Sequence, residues 1–251
     1  MGSVTVAFSG GVDSTFLLKI AHDELREKAV AVTAVSNTYS QKEQKDAELF
    51  TKNIGVEHIL IDTDEINIKN FSKNPTDRCY YCKKELFSKI KELANDKKIN
   101  YVLDGSNADD IKDYRPGMKA LRELGIISPL IDADLTKNEI RKISKEMKLE
   151  TWNKPAFACL ASRFPYNTKI TKSRLKKIEK AEDFTRKIGI KQFRVRYHGE
   201  IARIEVPKDE FQIIIENSDK IVKKFKSFGF KYITLDIQGY RPGSLNEVLE
   251  K

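Results

Sequence analysis

The three cysteines of this chain are its first candidates for chemistry. Cys79 and Cys82 form a C-x-x-C pair with basic neighbours, and Cys159 lies in a separate segment beside Ser162 and Arg163. A C-x-x-C pair can be a redox dithiol, half of a zinc site, part of an iron–sulfur site or simply two buried thiols. An odd number of cysteines excludes a framework in which every cysteine forms a disulfide within the chain.

The number of possible metal ligands helps to distinguish a zinc site from an iron–sulfur site. A structural zinc site needs four ligands. Beyond the cysteines the chain offers His22, His58 and His198, and none of them lies near a cysteine segment in sequence. Three cysteines without a fourth suit a [4Fe–4S] cluster that has one open iron. The residues alone leave the redox and zinc interpretations open.

The segment 9-SGGVDST-15 is the strongest signal for a bound phosphate. Gly10 and Gly11 permit a tight turn that brings backbone N–H groups close to an anion. A helix predicted to begin near Ser14 adds the positive end of its dipole. The segment is neither a Walker motif nor G-x-G-x-x-G. A glycine turn followed by an Asp or Ser helix cap is the alternative interpretation.

Alternating patterns predict the elements that position these residues. Short apolar runs predict strands, and apolar residues at helical spacing predict helices. Strands separated by helices indicate an α/β fold with a parallel sheet covered on both faces, and ligands then bind beyond the carboxyl ends of the strands. In the first half the predicted strands are 4–8, 29–35, 57–62 and 101–105, and the predicted helices are 14–25, 41–55 and 83–98.

The second half has a different pattern. A Pro-containing loop at 151–171 precedes a basic helix at 172–189. Alternating residues on both sides of a short turn predict a β-hairpin, followed by a helical stretch and a last strand. We therefore predict two domains, an α/β domain over residues 1–170 and a smaller α+β domain for substrate binding or oligomerisation over residues 171–251.

Composition narrows the class of partner. The 251 residues are 33% charged and 40% hydrophobic, which is typical of a soluble globular chain. No apolar run approaches the length of a membrane span, and no signal peptide is predicted, so we expect a cytoplasmic protein without a membrane partner. The net charge of +9 indicates an anionic partner, which could be a nucleotide, a small polyacid or a nucleic acid.

The glycine loop resembles the PP-loop of the N-type ATP pyrophosphatases, which cleave ATP between its α and β phosphates and adenylate a substrate oxygen. The resemblance implies an ATP site with Mg²⁺ near Asp13 and with Ser36 on the adenine side. It also implies that Arg78 and Gly105 contribute to the ATP site. The residues implied to hold the pyrophosphate end are Ser9, Gly10, Gly11, Asp13 and Ser14.

Three further segments make the resemblance more specific. These are 78-RCYYCK-83, 104-DGSNADDIKDYRPG-117 and 157-FACLASRFPYNTKIT-171. Together they resemble the LarE family of ATP-dependent sulfur transferases, which make the nickel-pincer nucleotide cofactor of lactate racemase. The resemblance covers nearly the whole chain. It implies adenylation of the two carboxylates of pyridinium-3,5-biscarboxylic acid mononucleotide and their conversion to thiocarboxylates.

The cysteine pattern resembles one branch of that family. One branch has a single cysteine at the position of Cys159 and gives up its sulfur. The three-cysteine branch binds a [4Fe–4S] cluster that carries an extra sulfide on its open iron. The resemblance therefore implies that Cys79, Cys82 and Cys159 are catalytic cluster ligands. It also implies a trimer or hexamer of identical chains.

Four residues are candidates for holding the anionic groups of the substrate. Arg194 and Arg196 are two apart on a predicted strand and so share a face. Paired guanidinium groups suit a phosphate or a carboxylate. Ser162 and Arg163 have the same potential beside Cys159. A solvated surface charge is the alternative for each arginine.

Three other functions compete with this one. A tRNA thiolase shares the PP-loop and often a three-cysteine cluster, and a charge of +9 suits RNA. However, the basic residues are interleaved with acidic and apolar ones as on an ordinary solvated helix, and no known RNA-binding module is recognisable. A nucleotide-binding synthetase without sulfur chemistry is the second alternative. A structural nucleic-acid-binding protein has only the net charge in its favour.

Overall fold

The apolar runs of the first half form a four-stranded parallel sheet, as predicted. The computed structural model describes residues 1–68, 70–112, 114–155 and 158–249, without the side chain of Lys112. The strand order is β3-β2-β1-β4, so β1 lies in the middle of the sheet. All three strand pairs are parallel. The strands are β1 (Val4–Ala7), β2 (Ala29–Val35), β3 (Glu57–Asp62) and β4 (Tyr101–Leu103).

Helices cover both faces of this sheet. Alternate residues of β2 point to opposite faces, so Ala29 and Ala31 join one apolar core and Val30 and Val32 join the other. The first core contains residues of α1 and α6, and the second contains residues of α3 and α4. The helices are α1 (Val12–Leu25), α2 (Gln41–Ile54), α3 (Arg78–Asp96), α4 (Gly117–Glu123), α5 (Pro129–Asp132) and α6 (Lys137–Glu146).

Local sequence signals set several of these helix ends. Ser40 begins α2 by accepting a hydrogen bond from the Glu43 amide, and Gly55 ends it in the left-handed conformation. Thr136 and Glu139 form a capping box at the start of α6. One predicted boundary is wrong. Helix α3 begins at Arg78 rather than at residue 83, so the C-x-x-C pair lies inside its first turns.

The second half contains the predicted β-hairpin. Strands β5 (Arg194–His198) and β6 (Ile201–Glu205) pair in antiparallel register. The last strand, β7 (Tyr232–Leu235), pairs in parallel with β6. The helices of this part are α7 (Lys172–Lys187), α8 (Phe211–Glu216) and α9 (Ser218–Ser227). Within the described residues, no helix is long and apolar enough to span a membrane.

The chain forms two compact units whose division differs from the boundary at residue 170. The first unit comprises residues 1–71 and 77–157, and the second comprises 72–76 and 158–251. Residues 158–170 group with the second unit because Arg163 pairs there with Glu182 of α7. The short segment at 72–76 groups with it because Asn74 donates to the Pro165 carbonyl, at 2.7 Å. The functional division at 170 stays a prediction.

A half-buried histidine links the entry of the glycine loop to helix α2. His58 of β3 lies with Nε2 2.7 Å from the Thr33 hydroxyl and with Nδ1 3.0 Å from the Thr51 hydroxyl. Thr33 in turn donates to the Phe8 carbonyl at 2.7 Å. Since the Thr33 hydroxyl donates there, it accepts from His58 Nε2–H. Burial lowers the pKa of His58, and nearby Glu48 opposes this shift.

This histidine makes the stability of the protein depend on pH. Because its folded pKa lies below the ordinary value of 6.5, the unfolded chain binds the proton more readily. The contribution of His58 is therefore complete above pH 6.5 and is lost as the pH falls through and below that value. We expect urea unfolding at pH 7.5 and 5.5 to show a smaller loss of stability for His58→Gln than for the unchanged protein. Equal losses in both proteins would contradict this.

Candidate active site

The glycine loop joins β1 to α1 and presents backbone N–H groups that no side chain caps. Gly11 is the N-cap of α1, and no side-chain hydrogen bond caps this helix end. The Ser14 hydroxyl donates to the Gly11 carbonyl at 3.3 Å, and the Ser9 amide donates to the Ser14 hydroxyl at 3.3 Å. These contacts hold the loop in a turn. The first N–H groups of α1 are therefore available to an anion at the positive end of the helix dipole.

Gly10 and Gly105 allow close packing around this loop. Gly10 has a φ of +67°, and a Cβ there would lie 3.4 Å from the Cβ of Ala47 in α2. A Cβ on Gly105 would lie 3.1 Å from the backbone nitrogen of Ser14. Gly105 follows β4, so it brings the loop after that strand directly against the first turn of α1. The structure therefore places Gly105 beside the glycine loop.

Asp13 presents one paired and one unpaired carboxylate oxygen. Its Oδ2 accepts a hydrogen bond from the ammonium of Lys137. Its Oδ1 is buried and has no hydrogen-bond partner among the described residues. A buried acceptor of this kind suits a hard cation such as Mg²⁺, which proteins bind through one or two carboxylates together with substrate phosphates. The residues present therefore fit Mg²⁺ at Asp13.

Two lysines at the glycine loop were not identified from sequence. Lys137 is the first residue of α6 and contacts Asp13. Lys154 donates to the Gly10 carbonyl at 3.0 Å and forms an ion pair with Glu43, also at 3.0 Å. Both lie more than a hundred residues from the loop in sequence. No local spacing signal marks them.

Ser36 and Asp110 lie in segments that follow strands of the first unit, Ser36 directly after β2 and Asp110 in a 3₁₀ turn after β4. Ser36 follows β2, and its hydroxyl lies 2.9 Å from that of Thr38. Asp110 is buried and forms an ion pair with Arg115 at 2.8 Å. Burial raises the pKa of Asp110, Arg115 opposes this, and the Asp13 carboxylate contributes a further increase. Asp110 is therefore close enough to Asp13 to sense its charge.

Cys79 and Cys82 lie on one face of the first turns of α3, since they are three residues apart. Cys79 is exposed and Cys82 half-buried, and neither forms a disulfide. Arg78 is buried, lies over the ring of Phe71 and places a guanidinium nitrogen 3.9 Å from the Cys79 sulfur. The thiol pair therefore lies beside a fixed positive charge.

Cys159 lies in the second unit and forms no disulfide. It begins a short 3₁₀ turn over Leu160–Arg163, and its sulfur accepts from the Ala161 amide at 3.4 Å. Phe157, which starts the predicted segment 157–171, is outside the described residues. Among the described residues, no group of three or more His, Cys, Asp or Glu side chains is placed to hold a metal ion.

Arg163 holds the Cys159 turn in place through buried hydrogen bonds. Its side chain is 1% exposed and forms a two-pronged ion pair with Glu182 of α7, at 2.7 and 3.0 Å. Its remaining nitrogen donates to the Ala158 carbonyl and the Ser162 hydroxyl. Burial alone would raise the pKa of Glu182, but the charge and hydrogen bonds of Arg163, the Val195 amide and the charge of Arg194 together outweigh it, and the pKa is lowered. Arg163 is therefore a buried, paired charge and not a solvated one.

Arg196 and Arg194 are also buried. Arg196 binds Glu205 with two nitrogens, at 3.0 and 2.9 Å, and donates to the Ser162 carbonyl at 2.8 Å. The guanidinium of Arg194 lies over the ring of Tyr240. Burial, with a contribution from the charge of Arg163, lowers the pKa of Arg194 to about 10. The predicted alternative of solvated surface charges is wrong for both arginines.

The second unit contains a cavity of about 410 Å³ that is lined partly by arginines. Two acidic residues, Asp236 and Glu247, also line this cavity. Burial lowers the pKa of His198, and the charges of Arg203 and Arg196 lower it further. The balance of charge favours an anionic occupant. Its basic lining is formed by Arg163, Arg196, Arg203 and Arg241, with His198 and Ser244 beside them.

Comparisons with known proteins agree with this arrangement. The profile of the family described as queuosine biosynthesis protein QueC matches residues 3–78, which include the glycine loop. An uncharacterized protein of Synechocystis is 44% identical over 98% of this chain and 92% of its own length. An uncharacterized protein of Methanocaldococcus jannaschii is 35% identical over 95% of this chain and 90% of its own length.

A relative with a named activity settles the family. The pyridinium-3,5-bisthiocarboxylic acid mononucleotide synthase of Lactiplantibacillus plantarum is 38% identical to this chain. The match covers 99% of this chain and 90% of the synthase. Identity at this level over almost the full length of both proteins means that the two share a fold and a descent. The chain therefore belongs to the family of this synthase, the LarE family of PP-loop ATP-dependent sulfur transferases.

Proposed function

We propose that this ATP-dependent sulfur transferase converts the two carboxylates of pyridinium-3,5-biscarboxylic acid mononucleotide to thiocarboxylates for nickel-pincer cofactor synthesis. The observation that carries the proposal is the uncapped start of α1 together with the unpaired Oδ1 of Asp13. An anion site and a cation site side by side fit the triphosphate of ATP and its Mg²⁺. The name of the Lactiplantibacillus relative supports the substrate.

The first step is adenylation. A carboxylate oxygen of the substrate attacks the α-phosphorus of ATP, the bond to the bridging oxygen breaks, and pyrophosphate leaves with that oxygen. The N–H groups at the start of α1 bind the pyrophosphate and stabilise its charge as it develops. When bound, Mg²⁺ neutralises charge on the phosphate oxygens. We assign Ser9, Gly10, Gly11, Asp13 and Ser14 to this end of ATP, with Ser36, Arg78 and Gly105 completing the ATP site.

The second step transfers sulfur. A sulfur nucleophile adds to the acyl carbon, the carbon–oxygen bond to AMP breaks, and AMP leaves with the electron pair. We propose that the arginine-lined cavity of the second unit receives anionic groups of the substrate, because Arg196 and Arg203 face it. Ser162, Arg163 and Arg194 are assigned to substrate binding with Arg196. The ion pairs with Glu182 and Glu205 orient two of these guanidinium groups.

We further propose that Cys79, Cys82 and Cys159 ligate a [4Fe–4S] cluster. None of the three forms a disulfide, and the chain has no fourth cysteine to complete the ligation. Such a cluster supplies an open iron on which sulfide can be carried. The donor set fits this group because thiolates are the usual ligands of iron–sulfur clusters. The Arg78 guanidinium donates to the Cys79 sulfur at 3.9 Å.

Anaerobic purification should give a brown protein with about four iron atoms per chain. Cys79→Ala, Cys82→Ala and Cys159→Ala should each lower the iron content severely, because each removes one of only three ligands. Iron and sulfide analysis with UV–visible spectra measures this. Tyr81→Phe, on the same turn of α3, is the matched control and should keep its iron. Colourless protein with tightly bound zinc would overturn the cluster assignment.

The remaining proposals concern assembly and location. We propose a homo-oligomer, a trimer or a hexamer, which acts in the cytoplasm on a small nucleotide and without nucleic acid. Native mass measurement tests the assembly. Incubation with tRNA, ATP and sulfide tests the substrate class. Thiouridine formation in that reaction would favour the tRNA thiolase instead.

A further inference from the structure

The contact between Lys137 and Asp13 bears on how a cation binds at Asp13. Lys137 lies at the start of α6, and its ammonium contacts Asp13 Oδ2. The Lys137 side chain is 30% exposed and that of Asp13 is 20% exposed. Among the described residues, Asp13 is the acidic partner of this ammonium. The ion pair therefore lies on the Asp13 carboxylate, the group of the proposed ATP site that suits a cation.

The main chain of Lys137 is fixed, whereas its ammonium is on a flexible stem. Its backbone amide donates to the Asp109 carboxylate at 2.9 Å. The preceding Thr136 forms the capping box of α6 with Glu139. A lysine side chain has four rotatable carbon–carbon bonds, so its compact ammonium group can change position while the backbone stays fixed. The ammonium can thus leave Asp13 without any change in the helix that carries it.

Lys154 provides a contrast at the same loop. Its ammonium contacts the Gly10 carbonyl and the carboxylates of Glu43 and Asp46. Its side chain is 15% exposed. With three partners, two of them on α2, Lys154 holds the glycine loop against that helix. Lys137 has no such set of partners among the described residues, so its ion pair is the one that a competing cation can displace.

The charges around Asp13 determine how strongly a divalent cation binds there without the nucleotide. Asp110 lies close enough to sense the charge of Asp13 and of Lys137. Asp110 is itself paired with Arg115, whereas Lys137 pairs with Asp13. Without Lys137 a divalent cation would meet the full charge of the Asp13 carboxylate at its unpaired Oδ1. Mg²⁺ in nucleotide sites is held chiefly by phosphates and by one or two carboxylates. A lysine on Asp13 therefore weakens cation binding until phosphates are present.

We infer that Lys137, bound to Oδ2 of Asp13, competes with a cation at the neighbouring Oδ1 for the charge of this carboxylate, so that a divalent cation binds only together with the nucleotide. This inference rests on the proposed ATP site at the glycine loop. It assigns Lys137 as a positioning residue that couples the two binding events. Removing its charge should strengthen binding of the cation alone while weakening the coupling to ATP.

The test is a titration of the full-length protein with Mn²⁺ alone, followed by electron paramagnetic resonance. We expect Lys137→Met to bind Mn²⁺ at least about tenfold more tightly than the unchanged protein, since a like charge has been removed near the site. Adding Asp13→Asn to Lys137→Met should remove the gain. Lys142→Met, an exposed lysine of the same helix, is the matched control and should leave Mn²⁺ binding unchanged.

Two results would overturn the inference. One is Mn²⁺ affinity in Lys137→Met no higher than in the unchanged protein. The other is a gain that persists when Asp13→Asn is added. If Lys137→Met does not fold, Lys137→Gln, which keeps a polar side chain, takes its place in the same titration. Binding of ATP with Mn²⁺ to the unchanged protein separately tests the ATP site, so failure there is distinguishable from failure of the competition.

Discussion

Asp13→Asn should reduce pyrophosphate release by about 100-fold or more, the cost typical of removing one preorganised electrostatic group from an active site. Asn keeps the size of the side chain and removes its charge. The buried Oδ1 that suits Mg²⁺ is then part of a neutral amide, which binds the cation much more weakly. Pyrophosphate release with substrate and ATP measures the effect. Iron content should stay unchanged, since Asp13 is not one of the proposed cluster ligands.

Asp23→Asn is the matched control for this experiment. Asp23 lies near the end of the same helix and pairs with Lys19 on the surface. Its loss should leave pyrophosphate release unchanged and the thermal unfolding profile nearly so, because exposed ion pairs contribute little. If release survives in Asp13→Asn, the nucleotide site has been assigned to the wrong residues.

Arg163→Met should lower the free energy of unfolding by about 3–5 kcal/mol, the usual cost of breaking one side of a buried ion pair. The carboxylate of Glu182 is buried with Arg163, and without the guanidinium the Val195 amide is the one donor left to it among the residues that the structure describes. The Ala158 carbonyl and the Ser162 hydroxyl also lose a donor. Urea unfolding measures the loss.

Two further variants separate this explanation from a general loss of packing. Arg163→Met combined with Glu182→Met removes both charges and should recover much of the stability, since apolar side chains can replace a buried pair. Lys231→Met removes an exposed ion pair with Glu200 and should cost less than about 1 kcal/mol. A double variant as unstable as Arg163→Met alone would show that the buried charge on Glu182 is not the cause.

Most of the fold was predictable because local patterns determine it. Apolar runs such as Ala29–Val35 are buried on both faces of a parallel sheet and are visible in sequence. The short helices α4, α5 and α6, between residues 117 and 146, were not predicted. Helices α4 and α5 have seven and four residues, which is too few to show a helical period clearly. The early start of α3 was missed because the C-x-x-C pair was placed before the predicted helix at 83–98 and not inside it.

The candidate site was only partly predictable for a related reason. The segment Ser9–Ser14 could be recognised because its glycines, its Asp and its hydroxyls are contiguous. Lys137 and Lys154 reach the same loop from positions 124 and 144 residues away from their partners. Nothing in their own neighbourhood marks them among 46 basic residues. Contact at such separation depends on how the helices pack on the sheet.

The amino-acid sequence by itself determined the α/β class, the glycine loop between β1 and α1 and the set of three cysteines, because each depends on residue type and short spacing. Tertiary structure decided which charges meet. Arg163 and Arg196 are indistinguishable in sequence from surface arginines, yet both are buried against Glu182 and Glu205. The pairing of Lys137 with Asp13 was likewise decided by packing, because charge pairs across long separations form only where the fold brings their backbones together.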